Sequence, residues 1–179
     1  MAHGVSAGRD NRDQRKTQAM KITNEITIQA SAQKVWSVLA GDFAGIQRWA
    51  SSVVASEPLE DAPLPGAPTA GRLCELTPNG RDGLYVVERI QSWSDADRTL
   101  SFVVEPTNAP TAMPVAGNRV ELAVRDNGDD TSTVTWTSEP TLKTHGYLLY
   151  PVLRAGLRKS FGDLLAQLKT FVEGQRAAA

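Results

Sequence analysis

Cysteine is nearly absent: Cys74 is the only one among 179 residues. An intramolecular disulfide is therefore impossible, and a reducing, cytoplasmic setting is expected. Histidine is as scarce, with only His3 and His145. A histidine-based metal site and a Ser–His–Asp arrangement both lack their parts, so no metal is expected. No Gly-rich phosphate loop or dinucleotide fingerprint occurs, and no cofactor is implied. No apolar run approaches the roughly 18–20 residues that span a bilayer, so no integral membrane association is expected. The opening MAHGVSAGRDNRDQRKTQ lacks the apolar centre of a signal peptide, and secretion is not indicated. Net charge is only −1, with no block of like charge in the part expected to fold. Such a surface offers nucleic acid no electrostatic footprint.

What is present is ordinary for one globular domain: 41% hydrophobic and 22% charged residues. Residues 1–19 hold Arg9, Arg12, Arg15 and Lys16, two acidic residues and little that is apolar. That segment cannot bury enough surface to offset ordering entropy and is expected to be a disordered tail. A basic anchor is the other reading, although no apolar face accompanies the charges. The folded domain is placed at 20–174, with 175–179 disordered.

Periodicity sets the element order. The β-branched KITNEITIQA reads as a strand. Ser31 is placed to cap a helix carrying Val35, Val38 and Leu39, which Gly41 can end. A second short helical turn, FAGIQRWAS, follows. Strands are expected at 51–57, 71–77, 84–93, 98–105, 118–125 and 131–138. PNGRDG, SDAD and DNGDD supply hairpin turns. The stretch 57–71 is too rich in Pro and Gly for regular structure, and so is 106–117.

The strongest pattern comes last. Leu148, Leu149, Val152, Leu153, Leu157, Phe161, Leu164, Leu165, Leu168, Phe171 and Val172 keep helical spacing. Pro151 suits a first turn, where its missing N–H costs nothing. A helix over 151–172 is roughly 33 Å long and needs a broad sheet to lie on. The order predicts an α+β fold. About seven antiparallel strands form a curved sheet, two short helices follow the first strand, and the sheet wraps the long C-terminal helix.

Alternation assigns the inner wall. Val86, Glu88 and Ile90 share one face, as do Leu100, Phe102 and Val104. Asn118, Val120, Leu122 and Val124 are expected inside, with Val134, Trp136 and Ser138. Four threonines of the last strand are left outside. Glu88 is the odd member, because a carboxylate on an apolar wall is costly unless paired or protonated. It either serves a ligand as contact or acid/base group, or it pairs with an arginine or holds an ordered water. Asn118 either hydrogen-bonds a ligand or caps a strand edge. Trp49 either sits at the rim or plugs the small core between the helices. Tyr147, Tyr150 and Arg154 cluster at the start of the long helix, and Tyr150 and Arg154 are placed to reach Glu88 or an acidic ligand group. Glu88, Tyr150 and Arg154 are thus the catalytic candidates. Trp49, Val86, Phe102, Asn118, Val120, Trp136, Tyr147, Leu153, Leu157 and Phe161 are the ligand-binding candidates.

Four stretches carry a resemblance. ITIQASAQKVWSVLAGDFAGIQRWASSVVASE looks like an opening strand, helix pair and second strand. GRLCEL, VVERIQSWSDADRTLSFVV, and MPVAGNRVELAV with STVTWTSEP follow in order. Together they resemble the START-related (SRPBCC) superfamily of polyketide cyclases/dehydratases, lipid-transfer proteins, pollen allergens and abscisic-acid receptors, over about residues 22–172. The resemblance implies a helix-grip fold and a cavity for a hydrophobic small molecule; the polar, threonine-bearing outer face of the last strand suits a monomer or a homodimer with a small wet interface. The resemblance implies either a cyclase or dehydratase without metal or nucleotide, or a carrier or sensor that does no chemistry. The resemblance also places Glu88 and Asn118 on the ligand side. The 57–71 loop is longer than is usual there, and by the same analogy lies near the cavity mouth.

Overall fold

Seven strands and two α-helices make up the computed structural model, which describes residues 20–76 and 83–177. The strands are β1 (Ile22–Ile28), β2 (Val53–Pro58), β3 (Gly71–Leu76), β4 (Leu84–Ser94), β5 (Thr99–Pro106), β6 (Val115–Asp126) and β7 (Ser132–Leu142). They form one sheet in the order β1-β7-β6-β5-β4-β3-β2, every pair antiparallel. Consecutive hairpins dictate this order from β2 to β7. β1 closes the far edge by pairing with β7. Most of the expected turn PNGRDG, and the tail, lie outside the described residues.

Between β1 and β2, α1 (Ala32–Trp36) runs into a π-helical turn, Ser37–Gly41, and then a 3-10 turn, Phe43–Arg48. Ser31 caps α1, its Oγ accepting from the Lys34 N–H. The buried faces of these turns carry Val35, Trp36, Leu39, Phe43 and Ile46. They close one end of the sheet. Trp36 meets Trp93 at a centroid distance of 5.0 Å, and its Nε1 donates to Asp95 Oδ1 at 2.6 Å.

The alternation expected from the sequence is the alternation observed. Val86, Ile90, Leu100, Phe102, Val120, Leu122, Val124, Val134 and Trp136 are all buried on the inner face. Thr133, Thr135 and Thr137 are half-exposed on the other. Thr131 departs from expectation and is buried. Its hydroxyl donates to Asp129 Oδ1 at 2.5 Å, inside the turn it closes.

The long helix, α2, spans Tyr150–Ala177, five residues beyond the expected end. It is preceded by a 3-10 turn, Thr144–Leu149. Its second half carries Leu165, Leu168 and Val172 into the main core. Its first half sets Tyr150, Leu153, Leu157 and Phe161 against a small cluster of Met20, Ile22 and Leu142. Asn24 of β1 donates through Nδ2 to the Arg158 carbonyl at 3.1 Å, tying the helix to the edge strand. Glu173 and Lys169 repeat the tie lower down. Glu173 Oε1 accepts from the Gln29 N–H at 2.7 Å, and Lys169 Nζ donates to the Thr27 carbonyl at 2.7 Å.

Two expectations fail here. Leu148, Leu149 and Val152 are not on the buried stripe but exposed. The 3-10 turn has three residues per turn, not 3.6, so it rotates Leu148 and Leu149 off the helical face. The 57–71 loop does not lie at an open end of the sheet. It joins β2 and β3 at Gly71 and folds over Trp93, whose indole lies 3.6 Å from where a Cβ on Gly66 would stand. It covers the end opposite Leu76 and Leu84.

Candidate functional site

The space between α2 and the inner face is sealed at one end and open at the other. Near α1 the inward residues are fully buried. At the opposite end Leu76, Leu84, Val104 and Asn118 are only half-buried although they point inward, and so are Leu153, Leu157 and Phe161 of α2. Solvent therefore reaches between the first half of α2 and the strands.

Aromatic rings line this space in a chain. Phe43 meets Phe102 at 5.3 Å, edge to face. Phe102 meets Trp136 at 6.1 Å in the same manner. Trp136 stacks on Phe161 at 5.9 Å with the planes 24° apart. Phe161 is thereby the link between the two core clusters. Offset and T-shaped pairs of this kind add to ordinary area burial.

Two polar groups interrupt the apolar wall. The first is an ion pair. Arg72 of β3 stands opposite Glu88 of β4 in the strand register. Glu88 Oε2 accepts from Arg72 Nε at 2.7 Å and lies 2.5 Å from Nη2. Arg72 Nη1 also donates to the Phe43 carbonyl, and the guanidinium lies 3.9 Å from the centroid of the Phe43 ring. Arg72 is 3% exposed. A desolvated arginine needs acceptors for its nitrogens and a matching charge, and here each of its three nitrogens meets an acceptor and the carboxylate matches its charge. Beside the pair, burial first and the Glu88 carboxylate second push the Cys74 thiol up to about 11. The thiol faces Ser56 Oγ at 3.6 Å.

The second is an uncharged cluster. Trp136 Nε1 donates to Ser138 Oγ at 2.8 Å, and Asn118 Nδ2 approaches the same oxygen at 3.4 Å. Asn118 Oδ1 is enclosed and has no hydrogen-bond partner among the described residues. Such an acceptor favours a site where a donor can enter.

The sequence candidates are distributed as follows. Val86, Phe102, Val120 and Trp136 lie buried on the inner wall, with Asn118 and Glu88 half-buried among them. On α2, Phe161 stacks on Trp136, whereas Leu153 and Leu157 pack against Met20, Ile22 and Leu142. Trp49 is buried at the end of the 3-10 turn, in the main core and not at a rim. Glu88, Tyr150 and Arg154 are not brought together. Glu88 is held by Arg72, and Arg154 is exposed and forms no ion pair among the described residues. Tyr147 and Tyr150 line a separate cleft of about 320 Å³ with Met20, Arg119, Glu139, Pro140, Thr141 and Leu142. The cause is the 3-10 turn, which Gly146 packs tightly against Pro114. It draws both tyrosines toward the Pro140–Leu142 end of β7. Arg72, Phe43 and Asn24 were not among the candidates. Arg72 shares a face with Cys74 and Leu76, but Leu73 stands on the other, so only its register opposite Glu88 could have found it.

No group of three or more His, Cys, Asp or Glu among the described residues is arranged to hold a metal ion. No helix among them is long and apolar enough to cross a membrane.

This architecture is a helix-grip fold, and residues 19–173 match the family described as polyketide cyclase/dehydrase and lipid transport. The chain belongs to that family, within the START-related superfamily. Among solved structures it is similar to the ZhuI aromatase/cyclase from Streptomyces sp. R1128, at 17% identity and a TM-score of 0.67 over 89% of this chain and 96% of that one. A START superfamily protein from Mycobacterium smegmatis matches at 14% and 0.62, over 87% and 95%. Ara h 8.0201 matches at 14% and 0.67 or better, its TM-score being 0.68, over 87% and 99%. At such identities the likeness is one of fold. No curated protein matches the sequence.

Proposed function

We propose that the protein holds a hydrophobic small molecule between the first half of α2 and the inner face of β4–β7, as a carrier or sensor and without chemistry. The observation that carries this reading is the state of Glu88. It is the one carboxylate on the inner wall among the described residues, and Arg72 already engages it. A general acid or base must be within hydrogen-bond reach of a substrate proton and free to exchange it. Here the carboxylate is occupied, the Cys74 thiol is held protonated, and both tyrosines of the helix start belong to another cleft. What remains is an aromatic and aliphatic wall on which Asn118 Oδ1, at the open end, is an acceptor without a partner among the described residues. That composition suits a ligand that is mostly apolar and carries one hydroxyl or N–H.

The second reading is a polyketide cyclase-like or dehydratase-like activity. Family membership and the likeness to an aromatase/cyclase favour it. The walls would fold a flexible substrate into a reactive conformer, with Glu88 as the acid/base group once Arg72 released it.

Native mass spectrometry of the purified protein, followed by thermal-shift screening of hydrophobic ligands, tests binding. A retained apolar ligand, or a stabilising one, is expected. Repeated absence of both would sink the pocket reading altogether. The Glu88→Gln variant then separates the two readings. Ligand affinity within about twofold of the parent supports the carrier. Turnover of a polyketide-like substrate that is lost in this variant establishes the enzyme instead.

A further inference from the structure

The start of α2 presents apolar side chains to solvent. Leu148 is 86% exposed and Val152 73%, with Leu149 at 51% and Tyr147 at 46%. Four neighbouring large residues exposed to this degree form a patch, and patches of this kind mark interaction sites. Its setting is mainly cationic, with Glu139 in the cleft beside Tyr147 and Asp163 at its two ends. From Pro140 to Gly162 the chain holds Lys143, Arg154, Arg158 and Lys159 and no acidic residue. The rest of the chain from Met20 onward has eleven basic residues against eighteen acidic. Lys159 shares its charge with Asp163 at 2.6 Å, whereas Lys143, Arg154 and Arg158 form no ion pair among the described residues.

We propose that this face, the Thr144–Leu149 turn with the first two turns of α2, docks on an anionic lipid surface. The side chains fit that partner. On α2, Val152, Ala155, Gly156 and Lys159 follow one another along the outward side at helical spacing, with Arg158 about a third of a turn away and Arg154, seven residues before Phe161, exposed on the side of the opening. A helix with apolar residues outward and cations flanking lies in the plane of a bilayer interface. Its cations gain from the negative surface potential of anionic lipid.

Other covers fit less well. Residues 1–19 contain only Met1 and Val5 as large apolar residues and are themselves net positive. They would bring cations to a cationic rim. A second copy meeting this face across a two-fold axis would likewise set Arg154 and Arg158 near their own counterparts. A protein partner would need a pocket for Leu148, which protrudes, whereas a lipid interface accepts a protruding chain anywhere.

The position also relates to the interior. Leu153 and Leu157, which face the open end, belong to the same two turns as Val152 and Arg154. Docking would therefore place the opening at the lipid interface. The docking itself does not depend on the ligand-binding reading, since vesicles need no ligand to test it.

The test is co-sedimentation of the full chain with vesicles of neutral phosphatidylcholine and of phosphatidylcholine with phosphatidylglycerol. Binding to the anionic vesicles only is expected, weakened by raised salt. The Leu148→Asp/Val152→Asp variant should bind about tenfold more weakly or worse. Both sites are exposed, and an unchanged circular dichroism spectrum and melting temperature would show that the variant folds. A Leu148→Trp variant should show a blue-shifted emission with the anionic vesicles. Equal binding by the parent and the double-aspartate variant would assign the attraction to the N-terminal segment and overturn the proposal. Absence of binding by the parent would overturn it too, as would a solution dimer that the double-aspartate variant abolishes.

Discussion

Arg72 and Glu88 face each other across β3 and β4, with Glu88 Oε2 2.7 Å from Arg72 Nε and the guanidinium resting on the Phe43 ring. One side chain thus joins three elements: β3, β4 and the 3-10 turn that closes the end of the sheet. The turn has little else polar to fix it to the sheet. The Phe43 carbonyl accepts from this arginine, and Phe43 in turn packs on Phe102.

Removing the arginine leaves a carboxylate in a largely desolvated place, which is the costly way to break a buried pair. Arg72→Met should lower stability by about 3–5 kcal/mol in urea unfolding. Glu88 has more contact with solvent, and Glu88→Gln keeps a neutral acceptor, so its loss should be about 1–2 kcal/mol. The double variant should be less unstable than the two losses added together, because the orphaned partner is gone. An Arg72→Met variant within 1 kcal/mol of the parent would show that the pair is not holding the turn.

Cys74 gives the alkaline side of the same region. Its thiol titrates at about 11 in the folded chain, against 9.0 for a free one. An acid with a raised folded pKa stabilises fully below its unfolded pKa and loses that contribution as pH rises toward the folded value. Between pH 9 and 11 the unfolded chain has lost a proton that the folded chain keeps, so stability falls. At about 1.4 kcal/mol per unit, the fall is roughly 2–3 kcal/mol over that window. Cys74→Ala should remove this part of the slope. At pH 8 the native thiol should react with a disulfide reagent only as fast as the chain opens. Rapid stoichiometric labelling of the native protein would contradict the buried, protonated thiol.

On the acid side the sensitive group is Glu173. The Lys169 ammonium and the Gln29 N–H hold its carboxyl below the ordinary value of 4.5. A carboxylate with a depressed folded pKa contributes stability above its unfolded pKa and loses it as pH falls through the folded one. The group is partly exposed, and an exposed ion pair is worth about 1 kcal/mol or less. Glu173→Gln should therefore cost under about 1 kcal/mol at pH 7 and less at pH 3. Thermal unfolding of the two proteins at both pH values checks this. A difference that persists at pH 3 would mean the contact acts through packing and not through charge.

Much of this arrangement can be read from the sequence because a strand has only two faces. Once Val86 is inside, Glu88 must be, and the same logic carries Asn118 and Trp136 inward. Arg72 escapes that reading because GRLCEL has an apolar residue on each face, Leu73 against Cys74, so β3 alone does not say which side is buried. Its cross-strand position opposite Glu88 decides the matter, and register is a property of two strands together. The start of α2 misleads for a different reason. Helical spacing identifies an apolar stripe but not what covers it, and the 3-10 turn before Tyr150 changes the period within one turn. The buried stripe holds Leu168 but not Val152, which lies on the outward side of the helix. Tyr147 and Tyr150 move with that turn, which is why the expected approach of Tyr150 and Arg154 to Glu88 does not occur.

Asn118 offers the sharpest separation between structural and binding roles. Its Oδ1 has no partner among the described residues, so the side chain contributes little beyond a long contact to Ser138. Replacing it with Leu removes an enclosed polar atom of similar size, and stability should change by less than about 1 kcal/mol or rise slightly. Affinity should behave differently if the oxygen receives a ligand donor. A hydroxylated apolar ligand should lose about tenfold or more, because the variant leaves its hydroxyl desolvated and unpaired. The matching ligand without the hydroxyl should bind the parent and the variant alike. Titration calorimetry with such a pair of ligands on both proteins measures the coupling directly. Equal losses for both ligands would mean that Asn118 shapes the wall without reading the ligand, and the unfilled oxygen would then belong to an ordered water.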